Sequence, residues 1–184
     1  MRPTKEEIET FVRESGAIAE EGFDLEDDVV KRHLEMAQIV AKSHRVGQVE
    51  LVNATLCGIK DGWFRNSVST GNMDRVPLVA HIPALHTQWR VFVDKGIECH
   101  ISKPDEEKEL FAWQVHDELL CMRLFKHKNG ETARLMLNDC RQRLGLAWKL
   151  LLYKHSHSYF DRVDAYRTDI FLPKYRRWVE TKQT

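Results

Sequence analysis

The stretch Leu120-Cys121-Met122-Arg123-Leu124-Phe125-Lys126-His127-Lys128-Asn129-Gly130-Glu131-Thr132-Ala133-Arg134-Leu135 joins a helix end, a polar loop and a helix start. The first N–H groups of a helix have no intrahelical partner, and the macrodipole favours an anion beside them. Asn129-Gly130 permits a left-handed turn that aims those groups. Arg134, in the first turn, has the fork geometry to hold a phosphate through two parallel hydrogen bonds. The chemistry these residue types point to is anion binding. His127 adds a group that titrates near neutrality and can serve as a base, or can stand as a solvated loop histidine. Lys126, Lys128, Arg134, Arg141 and Arg143 make the region basic, tempered by Glu131 and Asp139. Such a face attracts a polyphosphate or an acidic partner, or is simply solvated.

Other constellations carry less. His155 and His157 are two apart, so on a helix they point away from each other. His81 and His86 flank Pro83 without a thiolate or carboxylate at ligand spacing, and no metal site is expected. Cys57, Cys99, Cys121 and Cys140 form no Cys-x-x-Cys pair. They read as reduced thiols in a cytoplasmic setting, three of them on helix faces. The 28 basic and 28 acidic side chains cancel, which argues against non-specific nucleic-acid binding. No apolar run approaches the roughly 18 residues of a membrane span, so no membrane partner is expected. The chain of 184 residues is long enough for one domain with a core of its own. The basic aromatic tail Lys174, Arg176, Arg177 and Trp178 could dock on a partner or fold back on the domain.

These residues must be positioned by helices, because the 3.6-residue period dominates. Thr4 and Glu7 make a capping box ahead of Ile8, Phe11, Val12 and Ile18. Asp24 can cap a second helix carrying Val30, Leu34, Ala37 and Ala41, and a third carries Val49, Val52, Leu56 and Ile59 before Asp61-Gly62. Val68-Ser69-Thr70, a Gly71-Asn72 turn and Val76-Pro77-Leu78-Val79 predict a short hairpin, with Pro77 confining the second arm to an edge. Pro83 suits the first turn of a helix bearing Leu85, Trp89 and Phe92. Asp105, Glu106 and Glu107 open a helix with Phe111, Val115, Leu119 and Met122. A sixth helix runs from about Glu131 to Leu144, stopped by Gly145, and Trp148 to Phe171 forms one further helix or two.

The loop resembles the signature of the Fic/Doc (Fido) family, H-x-F-x-D/E-G-N-G-R-x-x-R. Anchored on Phe125, the match keeps Phe125, Asn129, Gly130 and Arg134. Thr132 to Asn138 is similar to the family's following helix, and Ala112 and His116, seven residues before the first signature position, match its upstream pattern. Phe11 to Ile18 resembles an N-terminal segment that continues, in many members, into an inhibitory Ser-x-x-x-Glu-Gly. Gly62-Trp63-Phe64-Arg65, Val68, Gly71 and Ile82-Pro83 resemble the flap and the helix after it. The resemblance covers residues 8–145, leaving 146–184 as a helical extension. It implies a single mainly α, Fic/Doc-like helical bundle with a short β-hairpin flap.

The departures bear on activity. Family enzymes transfer a nucleotide monophosphate, usually AMP, to a protein hydroxyl, with the signature histidine as general base. Arg123 stands there, and a guanidinium stays protonated. His127 replaces the metal-binding carboxylate and is a poor ligand for Mg²⁺. Lys128 replaces a glycine, and Glu131 reverses the charge of the first phosphate-binding arginine. In the inhibitory segment, Ala19 falls where the glutamate belongs when counted from Ser15, and Ala17 where the serine belongs when counted from Glu21-Gly22. The expectation is a Fic-fold pseudoenzyme that binds a protein, without catalytic residues or a required cofactor. Asn129, Gly130 and Arg134 would be the remnant of the nucleotide site. Val68, Val76, Leu78 and Val79 would form a flap edge that adds to a strand of the partner. An inhibitor carried by a phage or mobile element would suit this size and neutrality. The alternative is a divergent nucleotidyl- or phosphotransferase using ATP or another nucleotide with Mg²⁺, in which His127 is the base and Lys128 and Arg134 hold phosphates.

Overall fold

The computed structural model describes residues 2–19, 27–42, 49–58, 64 and 76–181. The helices are α1 (Lys5–Ile18), α2 (Asp28–Lys42), α3 (Val49–Cys57), α4 (Ile82–His100), α5 (Asp105–Met122), α6 (Asn129–Arg143), α7 (Ser156–Tyr166) and α8 (Leu172–Glu180). Among the described residues the β-pairing is one isolated antiparallel bridge, Phe64 to Phe125. The protein is mainly α.

Local chemistry explains the boundaries. Thr4 and Glu7 form the expected reciprocal capping box of α1. Asp27, rather than Asp24, caps α2, its Oδ1 accepting the Val29 N–H at 2.6 Å; Asp24 lies outside the described residues. Pro83 occupies the first turn of α4. Gly145 ends the α6 turn at φ +81°, where a side chain would be strained. The third helix stops at Cys57, ahead of Gly58 at φ +65° and short of Asp61-Gly62.

The expected hairpin needs correction. Val68 and the Gly71-Asn72 turn lie outside the described residues. The second arm is not a strand: Val79–His81 is a 3-10 turn that runs straight into α4. The backbone N–H of Leu78 donates to the Tyr175 hydroxyl at 3.0 Å, so the main-chain group offered for strand addition is already bonded. Pro77 brings no donor, and the helix-favouring sequence behind it wins.

Packing centres on α5 and α6, which make the most extensive contact and meet through the loop 123–128. Phe111, Val115 and Leu119 of α5 and Ala133, Leu135 and Leu137 of α6 are buried, as are Phe11 of α1, Val40 of α2 and Val52 of α3. Apart from Ala133, each such side chain contributes about 1.5–3 kcal/mol by leaving water. Gly96 of α4 is the contact point for the Phe111 ring. A Cβ there would stand 2.1 Å from a ring carbon.

The C-terminal segment carries two α-helices joined by a π-helical turn rather than one continuous α-helix. A run without regular secondary structure, 146–152, and a 3-10 turn (Tyr153–His155) lead into α7, then comes a π-helical turn (Arg167–Phe171), and α8 completes the segment.

Candidate functional site

The loop between α5 and α6 turns on two left-handed residues, Arg123 at φ 46° and Lys128 at φ 58°. The left-handed turn was expected at Asn129-Gly130, but both of those residues are already helical. Asn129 acts through its side chain instead. Its Oδ1 accepts the Phe125 N–H at 3.0 Å and its Nδ2 donates to the Phe125 carbonyl at 2.8 Å, closing the loop reciprocally. Gly130 supplies space, since a Cβ would lie 3.0 Å from Arg134 Nη1. Phe125 is buried, bridged to Phe64 and stacked on its ring at 6.0 Å.

Asn53 of α3 holds the loop from below. Its Nδ2 donates to the His127 carbonyl at 2.9 Å and to Thr132 Oγ1 at 3.0 Å. Thr132 Oγ1 in turn donates to the Lys128 carbonyl at 2.7 Å. Asn53 was not foreseen, although a lone amide on the apolar face of Val49, Val52 and Leu56 is a legible signal of a buried partner.

The retained Arg134 does not face solvent. It is 2% exposed, and its guanidinium donates through Nε to Ser15 Oγ at 2.7 Å and through Nη2 to the Ser15 carbonyl at 2.9 Å. Helix α1 thus sits on the arginine that the sequence marked as a phosphate clamp. Glu131 is 5% exposed and pairs with Lys128 Nζ at 3.0 Å. Burial by itself would raise the Glu131 carboxyl. The charges of Arg134 and Lys128, its own backbone N–H and the Lys128 hydrogen bond outweigh that and hold it below the ordinary carboxylate value. His33 of α2 shares this space. Burial first, then the charge of Arg134, opposed by Glu131, lowers its imidazole to about 4.

A second buried chain of polar groups abuts Arg134. Asp117 Oδ1 accepts from His116 Nδ1 at 2.7 Å, and His116 Nε2 meets the Tyr159 hydroxyl at 3.1 Å. Burial lowers His116, so the neutral ring carries its proton on Nδ1 and accepts at Nε2. The Tyr159 hydroxyl also bonds Arg134, and burial raises it. Asp117 Oδ2 takes Arg162 at 2.8 Å, and that guanidinium lies 4.1 Å from the centre of the Trp113 ring. The spacing of His116 was visible in the sequence; the α7 partners, Tyr159 and Arg162, were not.

The expected basic face is largely paired off. Arg141 bonds Glu109, Arg143 reaches Asp94 at 3.3 Å, and Lys128 is held by Glu131. Arg123, Lys126 and His127 are exposed on the loop. His155 and His157 stay on the surface, and among the described residues no group of three or more His, Cys, Asp or Glu could hold a metal ion. All four cysteines are free and lie on helices, and burial raises the Cys121 and Cys140 thiols to about 12, which keeps them protonated.

No protein-family model matches this sequence, and no curated protein matches it. The structure is similar to that of a Fic domain containing signaling protein from Bacteroides thetaiotaomicron, with a TM-score of 0.70 and 16% sequence identity over 87% of this chain and 72% of that one.

Proposed function

We propose that this chain, which has the Fic fold, is a pseudoenzyme that works by binding another protein rather than by transferring a nucleotide. Among the described residues no helix is long and apolar enough to cross a membrane. The observation that carries this reading is Glu131. Its carboxylate is buried at the start of α6 with its own N–H, Lys128 and Arg134 around it. A helix start with two cations attracts an anion, and here the chain supplies that anion itself. Ser15 takes the Arg134 guanidinium, so the remaining clamp is engaged as well. Arg123, at the position of the base, is exposed and cannot accept a proton. The surface offered to a protein partner is the exposed part of the loop, which carries Arg123, Lys126 and His127. The rewired-transferase alternative asks Lys128 and Arg134 to hold phosphates, and both are committed to protein partners.

Binding calorimetry with ATP, GTP and CDP-type nucleotides, with and without Mg²⁺, tests this. The wild-type chain should give no heat of binding. Glu131→Gln keeps the shape, removes the competing charge and should gain weak affinity, because like charges at about 4 Å repel by about 1 kcal/mol in water and about 4 at an effective dielectric of 20. Arginine at this position would restore the family residue, but it would bury a third cation beside Lys128 and Arg134, so the glutamine is the cleaner variant. Tight, Mg²⁺-dependent binding by the wild type would overturn the proposal. So would a labelled protein band that depends on this chain when radiolabelled ATP is added to a lysate.

A further inference from the structure

Helices α4, α5 and α8 and the π-helical turn before α8 enclose a pocket of about 120 Å³. None of the loop residues 123–134 lines it. Its walls are aromatic: Trp89 and Phe92 from α4, Phe171 from the end of the π-helical turn, and Tyr175 and Trp178 from α8. π-turns recur at functional sites because they re-aim the next stretch of helix, and here the widened turn ends on Phe171 and leads into the helix that carries Tyr175 and Trp178. Tyr175 is anchored from outside the pocket, its hydroxyl meeting Leu78 N and His81 Nδ1.

One carboxylate stands in this apolar wall. Glu118 is 6% exposed. The Tyr166 hydroxyl at 3.1 Å and the Lys174 ammonium both bond its Oε1, and among the described residues no hydrogen bond reaches Oε2. The Lys174 nitrogen also lies 5.7 Å from the centre of the Phe92 ring. The protein thus sets one of its own alkylammonium groups against this carboxylate and an aromatic face. Yet the Lys174 side chain is 56% exposed and rooted on the outer helix, so swinging it into water costs little. A buried carboxylate with one oxygen that accepts no hydrogen bond among the described residues, in a pocket walled by aromatic side chains, selects a cation with an apolar body. The remaining volume is of the order of one aromatic ring, comparable to a cavity of about 150 Å³ that takes benzene.

We propose that this pocket binds a small organic ammonium. Its nitrogen would sit at Glu118 Oε2 and its apolar body between Trp89, Phe92 and Trp178, displacing Lys174 toward solvent. The same chemistry is offered by a free amine or by a lysine side chain of a polypeptide. Two probes separate those sources: benzylammonium, and a lysine blocked at both its amino and carboxyl ends.

The test is titration of the full chain, tracked by the indole N–H resonances of Trp89 and Trp178. Benzylammonium should shift both. Benzyl alcohol, of the same shape without charge, should bind at least about tenfold more weakly, the loss of a desolvated cation–π and ion-pair contact. If the blocked lysine binds as well as benzylammonium, the natural occupant is a polypeptide side chain; if it does not, the occupant is a free amine. Glu118→Gln should lower benzylammonium affinity at least about tenfold, judged only if the variant keeps the wild-type spectrum elsewhere. Lys174→Met provides a variant at an exposed site, removes the competing ammonium, and should tighten benzylammonium by about three- to tenfold. Equal binding of benzyl alcohol, unshifted indoles at millimolar benzylammonium, or weaker binding by Lys174→Met would each overturn the proposal.

Discussion

Two lysine–glutamate pairs in this molecule use the same chemistry to different ends. At the start of α6, Lys128 and Glu131 meet at 3.0 Å with 17% and 7% of their side chains exposed. On α5, Glu118 is as buried as Glu131, but its partner Lys174 is 56% exposed and comes from a distant helix. The effective dielectric separates them. A charge pair in the interior is worth several times what it is worth with one end in water. The first pair therefore belongs to the fold. The second is a stopper that can be drawn.

The largest effect that would sharpen this contrast is the removal of Glu131. Glu131→Ala leaves Lys128 and Arg134 without their buried carboxylate and should cost about 3–5 kcal/mol in urea unfolding. A loss under about 1 kcal/mol, the range of an exposed pair, would break the comparison by making the first pair as dispensable as the second.

Acid should act on the same region. His33 has a folded value of about 4 against an ordinary 6.5, so the unfolded chain binds the extra proton first. The stability held by the neutral ring is full above about 6.5, is lost as pH falls toward 4, and amounts to about 3 kcal/mol. Glu131, also depressed, adds a loss in the same direction as pH falls through its own folded value. Unfolding free energies measured from pH 7 to 4 should therefore decline, and His33→Leu should flatten that slope. An unchanged slope in the variant would remove His33 from the account.

Ser15→Ala deletes the hydroxyl that receives Arg134 Nε. A hydrogen bond to a charged group contributes about 1.5–3 kcal/mol, and thermal unfolding should register that loss. The same variant frees part of the guanidinium, so a small gain in phosphate affinity should accompany it. The smallest effect belongs to the exposed stopper: Lys174→Met should change stability by no more than about 1 kcal/mol.

Much of the helical frame was legible. Thr4, Pro83, Gly145 and the period of Phe111, Val115, Leu119 and Met122 act as their types predict, because capping, φ restriction and amphipathic spacing are local properties. The second arm of the hairpin was misread because β-branched residues around Pro77 satisfy a strand pattern. That pattern gives way once a helix start and the Tyr175 hydroxyl compete for the same backbone. At the site, the retained Phe125, Asn129, Gly130 and Arg134 do come together. Yet Arg134 was read as an open clamp, whereas its partner is Ser15, 119 residues away.

The sequence by itself determined most of the helical frame from α1 to α6, the loop between α5 and α6, and the acidic Glu131 at the start of α6. Those arise from the chemistry of near neighbours. Only the tertiary structure decided that Glu131 and Arg134 are buried, that Ser15 of α1 holds Arg134, that Asn53 ties down the loop, and that the C-terminal helices help wall an aromatic pocket that Glu118 lines. Each depends on contacts between segments far apart in the chain. Burial then turns an ordinary carboxylate into either a fixture of the fold or a place for a ligand, according to which partner reaches it.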